Sequence, residues 1–256
     1  LGGNEPRELF KASLKSVRDT IDTTKFNIAL GTDFHVDERT NPRYVNASLA
    51  YSHFNNLLYF DDKVDVTVVN GDNVDAMYSS LDRIKLETEA MVSKLLDNDT
   101  HSDVFIHLGN HDDSSGRGTD KNCPLDGFIK LEEYKEIYRT KQLLNGENRN
   151  NGSLYYYKDY PEKKIRLIGL YTEDITETIT NEQGFLKYTR WLTHTIQQEQ
   201  MDWLMNVALK NVPVDYHTVV IGHCPLYHGW TDNGSKQINH EFLKNVLLAF
   251  QRGTSF

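Results

Sequence analysis

Short apolar runs followed by polar turns recur along the chain and predict β-strands. Four such runs cover residues 26–30, 66–69, 104–108 and 217–221. Alternating or continuous Val, Ile and Leu over a few residues is the pattern of half-buried and buried strands. Each run gives way to a glycine, where the backbone can turn more sharply than at a larger residue. Two further runs, 153–160 and 164–171, flank Pro161 and predict a hairpin in a second sheet.

Apolar residues at a spacing of three to four predict helices between these strands. The predicted helices cover residues 44–60, 81–96, 128–145, 197–209 and 238–250, and a short one lies within residues 1–24. Strands that alternate with helices are typical of α/β domains. We find no internal repeat, low-complexity segment or linker. Residues 1–256 are therefore predicted to form a single domain, with residues 1–24 as its lead-in.

The composition is that of a soluble globular protein, with 38% hydrophobic and 25% charged residues. A formal net charge of -9 implies no general attraction to nucleic acid. Bound metals can still reverse the local field and attract a phosphate ester. No apolar stretch approaches the ~20 residues that a membrane-spanning helix needs. The two cysteines, Cys123 and Cys224, leave the cellular compartment open, and the oligomeric state is not predicted.

Polar side chains follow each of the four strands. They are Asp33 and His35 after the first strand, Asp72 after the second, Asn110, His111 and Asp112 after the third, and His223 after the fourth. Sites in open α/β sheets gather outside the carboxyl ends of the strands, so these loops are expected to converge. Oxygen and imidazole ligands without thiolate suit Mn²⁺, Fe or Zn²⁺. The carboxylate of Asp72 can give one oxygen to each of two ions ~3.5–4 Å apart.

The four motifs occur in an order that resembles the calcineurin-like metallophosphoesterase superfamily. They are Asp33-x-His35, Gly71-Asp72-x-x-Asp75, Gly109-Asn110-His111-Asp112 and Gly222-His223. Each motif alone is weak, but the ordered set, with every member behind a predicted strand, is highly specific. The resemblance covers roughly residues 25–225. It implies a four-layer α/β/β/α sandwich in which two mixed β-sheets pack face to face between helices.

The resemblance also implies a division of labour around two divalent ions. Asp33 and His35 would hold one ion and Asn110 and His223 the other, with Asp72 bridging them. A metal-bound water or hydroxide would attack the phosphorus of a phosphomonoester or phosphodiester. His111 would act as general acid towards the leaving alkoxide, which is worth ~10²–10⁴-fold in rate. Asp112 would orient the His111 ring and raise its basicity.

Two features depart from the common patterns of the superfamily. Purple acid phosphatases carry a metal-binding tyrosine at the position of Asp75, so this residue argues against that branch and is interpreted as a brace for its loop. The Gly-His-x-His motif that ends the family pattern does not follow His223. We expect it to lie beyond Phe256 on strands that this C-terminally truncated chain lacks. Each ion would then lose a ligand and bind more weakly.

Several other residues are weaker candidates for the site. Arg117 is either a contact for the substrate phosphate or a solvent-exposed arginine, and His228 lies in a loop that could approach the metals. The remaining histidines outside the motifs, including His194, lack a paired context and are interpreted as structural. Cys224 directly follows a proposed metal ligand and is interpreted as buried rather than nucleophilic.

Two alternative functions remain open from the sequence. The missing Gly-His-x-His motif suits a scaffold or binding module that kept the fold and lost catalysis. The chain could also be a domain of a larger surface or virion-associated protein that acts on phosphodiester polymers such as teichoic acid, an inference from family analogy. The sequence does not choose among nucleotides, phosphoproteins, phospholipids and wall polymers as substrates.

Overall fold

The computed structural model describes residues 5–37, 47–76, 80–116, 122–225 and 238–253, of which 47–50 are described by their backbone alone. The strands in this part of the chain are β1 (Ile28–Gly31), β2 (Val66–Asn70), β3 (Asp103–His107), β4 (Tyr156–Tyr160), β5 (Ile165–Gly169) and β6 (His217–Ile221). The α-helices are α1 (Glu8–Arg18), α2 (Ala47–Leu58), α3 (Leu81–Leu96), α4 (Leu131–Ile137), α5 (Gln198–Trp203) and α6 (His240–Arg252).

The strands form two three-stranded sheets. In the first, β1, β2 and β3 are neighbours in that order and all run parallel. In the second, β4 pairs antiparallel with β5, and β5 pairs parallel with β6. The predicted hairpin in a second sheet is therefore confirmed, and that sheet is mixed. The described strands of the first sheet are all parallel, so this sheet differs from the prediction that both sheets are mixed. Connections through helices allow parallel pairing of consecutive strands.

Alternation of side chains along the strands builds the layers. Val66 and Val68 of β2 and Phe105 of β3 pack against Tyr156 and Leu167 of the second sheet. The rings of Phe105 and Tyr156 stack with centroids 4.1 Å apart. Successive residues of a strand point to opposite faces, so these side chains form the layer between the sheets.

The opposite faces of the strands pack against helices. A second cluster joins strand residues to helix residues, namely Val69, Val104, Ile106 and Ile168 with Phe54, Met91, Met201 and Leu243. The two sheets with helices outside them confirm the predicted α/β/β/α architecture. No helix among the described residues is long and apolar enough to cross a membrane.

Two predicted helices differ from the observed ones. The helix predicted over residues 128–145 ends at Ile137, and a 3₁₀ turn, Thr140–Gln142, follows. Arg139 and Leu143 on either side of this turn have φ of 57° and 50°, a left-handed conformation that cannot continue an α-helix. The helix predicted over 197–209 is α-helical to Trp203 and continues as a π-helical turn over Leu204–Ala208.

Candidate dimetal centre

Main-chain hydrogen bonds join the loops that follow the first two strands. The amide of Asp33 donates to the carbonyl of Gly71 (3.0 Å), and the amide of His35 donates to the carbonyl of Asp72 (2.9 Å). The third loop is attached to the same place, because the amide of His111 donates to Oδ1 of Asp72 (2.8 Å). The carboxyl ends of β1, β2 and β3 therefore present their polar side chains together, as predicted from the strand-end pattern.

Three of the predicted metal ligands have a left-handed backbone. The φ angles of Asp33, His35 and Asp72 are 59°, 46° and 52°. Aspartate and histidine adopt this conformation more readily than most residues, yet it still costs on the order of 1–3 kcal/mol at each position. Such backbone strain concentrates at functional sites, where surrounding contacts hold it in place.

The carboxylate of Asp72 lies at the centre of the cluster. Its Oδ1 is 3.2 Å from Nε2 of His223. Its Oδ2 is 3.8 Å from Nε2 of His35 and 3.8 Å from Nε2 of His111. The two oxygens of this buried side chain therefore face two different sets of imidazoles. Nε2 of His35 also lies 3.8 Å from Oδ1 of Asp33.

The tautomer of His223 follows from its contact with the main chain. Its Nδ1 is 2.7 Å from the carbonyl oxygen of Asn70, which can only accept a hydrogen bond, so Nδ1 carries a proton. While Nε2 also carries a proton, it donates to Oδ1 of Asp72; in the neutral ring the same nitrogen offers its lone pair to a cation, and Oδ1 of Asn110 lies 3.2 Å from it. A histidine fixed through one nitrogen with the other free is the usual arrangement of a metal ligand.

The electrostatics of this region favour a positive charge. Burial works against ionisation of His223, but the hydrogen bond with Asp72 and the charge of Glu173 raise the pKa of the imidazole to about 10. Burial likewise opposes ionisation of Asp72, and the hydrogen bond with His223 outweighs it and lowers the pKa of the carboxyl. Carboxylate, amide and imidazole acceptors that converge in this way fit a divalent cation.

Two groups of potential ligands have donor atoms that all lie within 4.8 Å of one another at this edge of the sheet. One consists of Asp33, Asp72 and His223, and the other of His35, Asp75 and His111. The structure thus brings together six of the seven strand-end residues selected from the sequence, namely Asp33, His35, Asp72, Asn110, His111 and His223. Arg117 and His228, the two weaker candidates, lie outside the described residues.

Aromatic rings flank His111. The His35 ring meets it edge to face at 4.5 Å between centroids, and the indole of Trp191 does so at 4.1 Å. Nδ1 of His111 is buried and has no hydrogen-bond partner among the described residues. The carboxylate oxygen 3.7 Å from it belongs to Asp75. Asp75, interpreted from the sequence as a brace for its loop, therefore also faces the ring of the proposed acid.

The expected role of Asp112 in orienting the His111 ring is corrected by its hydrogen bonds. One carboxylate oxygen accepts from the amides of Asn73 (2.6 Å) and Val74 (2.9 Å). The other accepts from the amide of Gly109 (2.6 Å). A fully buried carboxylate needs such donors, and they bind Asp112 to the main chain of its own loop and the loop after β2. Asp112 therefore fixes the loops that carry Asp72 and Asn110.

Trp191 and its neighbour Arg190 are absent from the sequence-based site. Arg190 is fully buried and binds Asp113, Glu177 and the hydroxyl of Tyr171. Gly116 makes room for Trp191, because a Cβ there would lie 2.6 Å from the indole side chain. The stretch before Trp191 has no hydrophobic period, so the sequence offered no signal except an arginine beside a tryptophan.

We expect Gly109→Ala to displace the Asp72 ligand. A Cβ at Gly109 would lie 2.1 Å from the amide nitrogen of Asp72 and 2.3 Å from its Oδ1. Relief of such a clash by backbone movement costs ~1–3 kcal/mol. Denaturant unfolding should show this loss, and equilibrium dialysis should show weaker metal binding.

Gly146→Ala is the matched control for this variant. No atom lies within 4 Å of a Cβ at Gly146, and the backbone there is left-handed. We expect a loss of about 1 kcal/mol from the backbone conformation alone and unchanged metal binding. Normal metal binding in Gly109→Ala would show that the loop contact does not position Asp72.

The parallel first sheet, the mixed second sheet and the ligand cluster at their edge define an α/β/β/α fold with a candidate metal site. The sequence matches the calcineurin-like phosphoesterase family over residues 26–253. This chain is a member of the calcineurin-like phosphoesterase family. Membership supports the general class of metal-dependent phosphoesterases for this chain and implies that it binds divalent metal ions.

Comparison with solved structures agrees with this fold. A dimetal phosphatase from Danio rerio superposes with a TM-score of 0.55 over 90% of this chain and 78% of its own, at 15% sequence identity. At that identity the likeness concerns the fold. A search of curated protein sequences gave no match.

Proposed function

We propose that the chain hydrolyses a phosphomonoester or phosphodiester with the help of two divalent ions, Mn²⁺, Fe or Zn²⁺. The observation that carries this proposal is the orientation of Asp72. Its Oδ1 faces His223 at 3.2 Å, and its Oδ2 faces His35 at 3.8 Å. A carboxylate between two separate ligand sets suits an ion on each side.

The division of the other ligands is the one that the family resemblance of the sequence motifs implies. Asp33 and His35 would share the first ion with Oδ2 of Asp72. Asn110 and His223 would share the second with Oδ1. When bound, the ions supply an activated water and neutralise the phosphoryl oxygens of the substrate. The strained backbone at Asp33, His35 and Asp72 supports this assignment, since the loop contacts hold the ligands in place before any ion binds.

His111 is the proposed general acid. Its Nε2 lies 3.8 Å from Oδ2 of Asp72, next to the proposed position of the ions, and 19% of its side chain is exposed. The imidazole of His111 can therefore contact a bound substrate while its neighbours hold it in position. The edge-to-face contacts with Trp191 and His35 limit rotation of the imidazole and keep water from one side of it. A carboxylate oxygen of Asp75 lies 3.7 Å from Nδ1 of the same ring.

Metal removal and readdition test the proposal. We expect protein dialysed against a chelator to lose hydrolysis of p-nitrophenyl phosphate and bis(p-nitrophenyl) phosphate, and to regain it with Mn²⁺, Fe²⁺ or Zn²⁺. The ratio of the two rates separates monoesterase from diesterase activity. Metal binding without turnover of either ester would favour the scaffold function, and turnover that survives chelation would contradict the proposal.

A further inference from the structure

A second cluster of potential metal ligands lies next to His223 in the chain and shares no residue with the proposed dimetal centre. It consists of Glu173, His194 and Cys224. Sγ of Cys224 is 2.9 Å from Oε1 of Glu173 and 3.3 Å from Nδ1 of His194. The same nitrogen is 3.8 Å from Oε1 of Glu173. Glu173 and His194 are buried and Cys224 is partly buried.

The three ligands come from separate segments that the main chain holds together. Glu173 follows β5, Cys224 follows β6, and His194 precedes α5. The amide of Thr195 donates to the carbonyl of Thr172 (3.0 Å), and the amide of Asp174 donates to the carbonyl of Thr195 (3.1 Å). These bonds fix the segments of Glu173 and His194 side by side.

A further hydrogen bond attaches the third segment. The amide of Cys224 donates to the hydroxyl of Thr172 (3.0 Å). The same hydroxyl lies 2.9 Å from Oε1 of Glu173 and so donates to that carboxylate. Thr172 therefore joins Cys224 to Glu173 through its single oxygen. The cluster has its ligand geometry without any ion, which lowers the entropy lost when one binds.

The donor set and its dimensions suit zinc. Structural and catalytic zinc sites use thiolate, imidazole and carboxylate at bond lengths of about 2.3, 2.0 and 2.1 Å. Tetrahedral coordination at these lengths separates pairs of donors by about 3.3–3.6 Å. Of the observed separations, 3.3 Å lies at the lower limit of that range, 2.9 Å is shorter and 3.8 Å is longer. A thiolate also distinguishes this cluster from the oxygen and nitrogen ligands around Asp72, because sulfur selects Zn²⁺ over Mn²⁺.

We propose that Glu173, His194 and Cys224 bind one Zn²⁺ ion as a third metal site, which holds the His223 loop in place. The Cys224 thiol gives up its proton to solvent on binding, and the fourth coordination position is left for a water molecule. Because Cys224 adjoins His223 in sequence, the ion would tie this dimetal ligand to the loops of Glu173 and His194. The site does not depend on whether the dimetal centre is catalytic.

Cobalt substitution separates this site from the dimetal centre. A cobalt ion bound by thiolate absorbs in the near ultraviolet through charge transfer from sulfur, whereas oxygen and nitrogen ligands give no such band. We expect the Co²⁺-loaded protein to show the band. Cys224→Ala should lose the band and one equivalent of metal, while Cys123→Ala, which removes the other cysteine, should keep both. Asp72→Asn should keep the band even where the dimetal centre binds poorly.

Each other outcome overturns the inference. Absence of the band from the wild-type Co²⁺ protein would show that the three side chains only hydrogen-bond to one another and bind no metal. This measurement uses the wild-type protein, so it does not depend on whether a variant folds. Equal metal content in Cys224→Ala and Cys123→Ala would exclude Cys224 as a ligand. Loss of the band in Asp72→Asn would assign the thiolate to the dimetal centre instead of a separate site.

Discussion

His111→Ala should lower the rate of hydrolysis of an alkyl phosphate ester by about 10²–10⁴-fold, the usual contribution of a positioned general acid. An alkoxide is a poor leaving group unless it receives a proton as the P–O bond breaks. A nitrophenolate leaves without that help, so the same variant should lose far less activity on a p-nitrophenyl ester. Comparing kcat/KM for the two esters measures the proton transfer directly.

Metal content and a matched histidine variant complete this experiment. His101→Ala removes an exposed histidine whose Nδ1 pairs with Asp61 (3.0 Å) outside the site, and should leave both rates unchanged. His111→Ala should retain its metal ions, since the proposal makes His111 an acid. Loss of one equivalent would identify His111 as a metal ligand with His35 and Asp75, which share a cluster with it. An equal loss of rate on both esters would also contradict the general-acid role.

Arg190→Met should destabilise the protein by ~3–5 kcal/mol, the range seen when one member of a buried ion pair is removed. Arg190 and Asp113 are both fully buried, and Nη1 of Arg190 lies 2.5 Å from Oδ2 of Asp113. Methionine fills a similar volume but leaves the Asp113 carboxylate without its counter-charge. The free energy of unfolding from denaturant titration measures the effect.

An exposed ion pair provides the comparison. Lys15 pairs with Asp19 at 2.5 Å on the surface of α1, and Lys15→Met should leave the unfolding midpoint nearly unchanged. A free energy of unfolding for Arg190→Met within ~1 kcal/mol of wild type would contradict the expectation, because a change that small is typical of surface substitutions. Since Arg190 precedes Trp191, this variant should also broaden the range of positions of the His111 ring.

Much of the candidate site could be predicted because its residues follow short, strongly patterned strands. The apolar runs before Asp72 and Asn110 fix where β2 and β3 end, and parallel pairing then brings those ends to one edge. The four-layer architecture followed from the family resemblance that these motifs carry. Local patterns sufficed because each ligand is positioned by the strand next to it.

Other features depend on contacts between distant segments, which no local pattern contains. The carboxylate of Asp112 accepts hydrogen bonds from the amides of Asn73 and Val74. It binds these amides instead of the His111 ring because of how two loops pack together. Trp191 reaches His111 through an irregular segment held by the buried Arg190 network. His194 looked solitary in sequence, and it meets Glu173 and Cys224 through main-chain pairing between their loops.

The left-handed backbone at Asp33, His35 and Asp72 has a consequence for how this protein can change. Glycine adopts that conformation freely, so a glycine at any of these positions would relax the chain while deleting a ligand. Random substitution selected for heat resistance would therefore tend to erode the metal site first. The requirements of stability and of metal binding therefore conflict at these three residues. By keeping two aspartates and one histidine there, the protein has a lower free energy of unfolding than the same fold could reach.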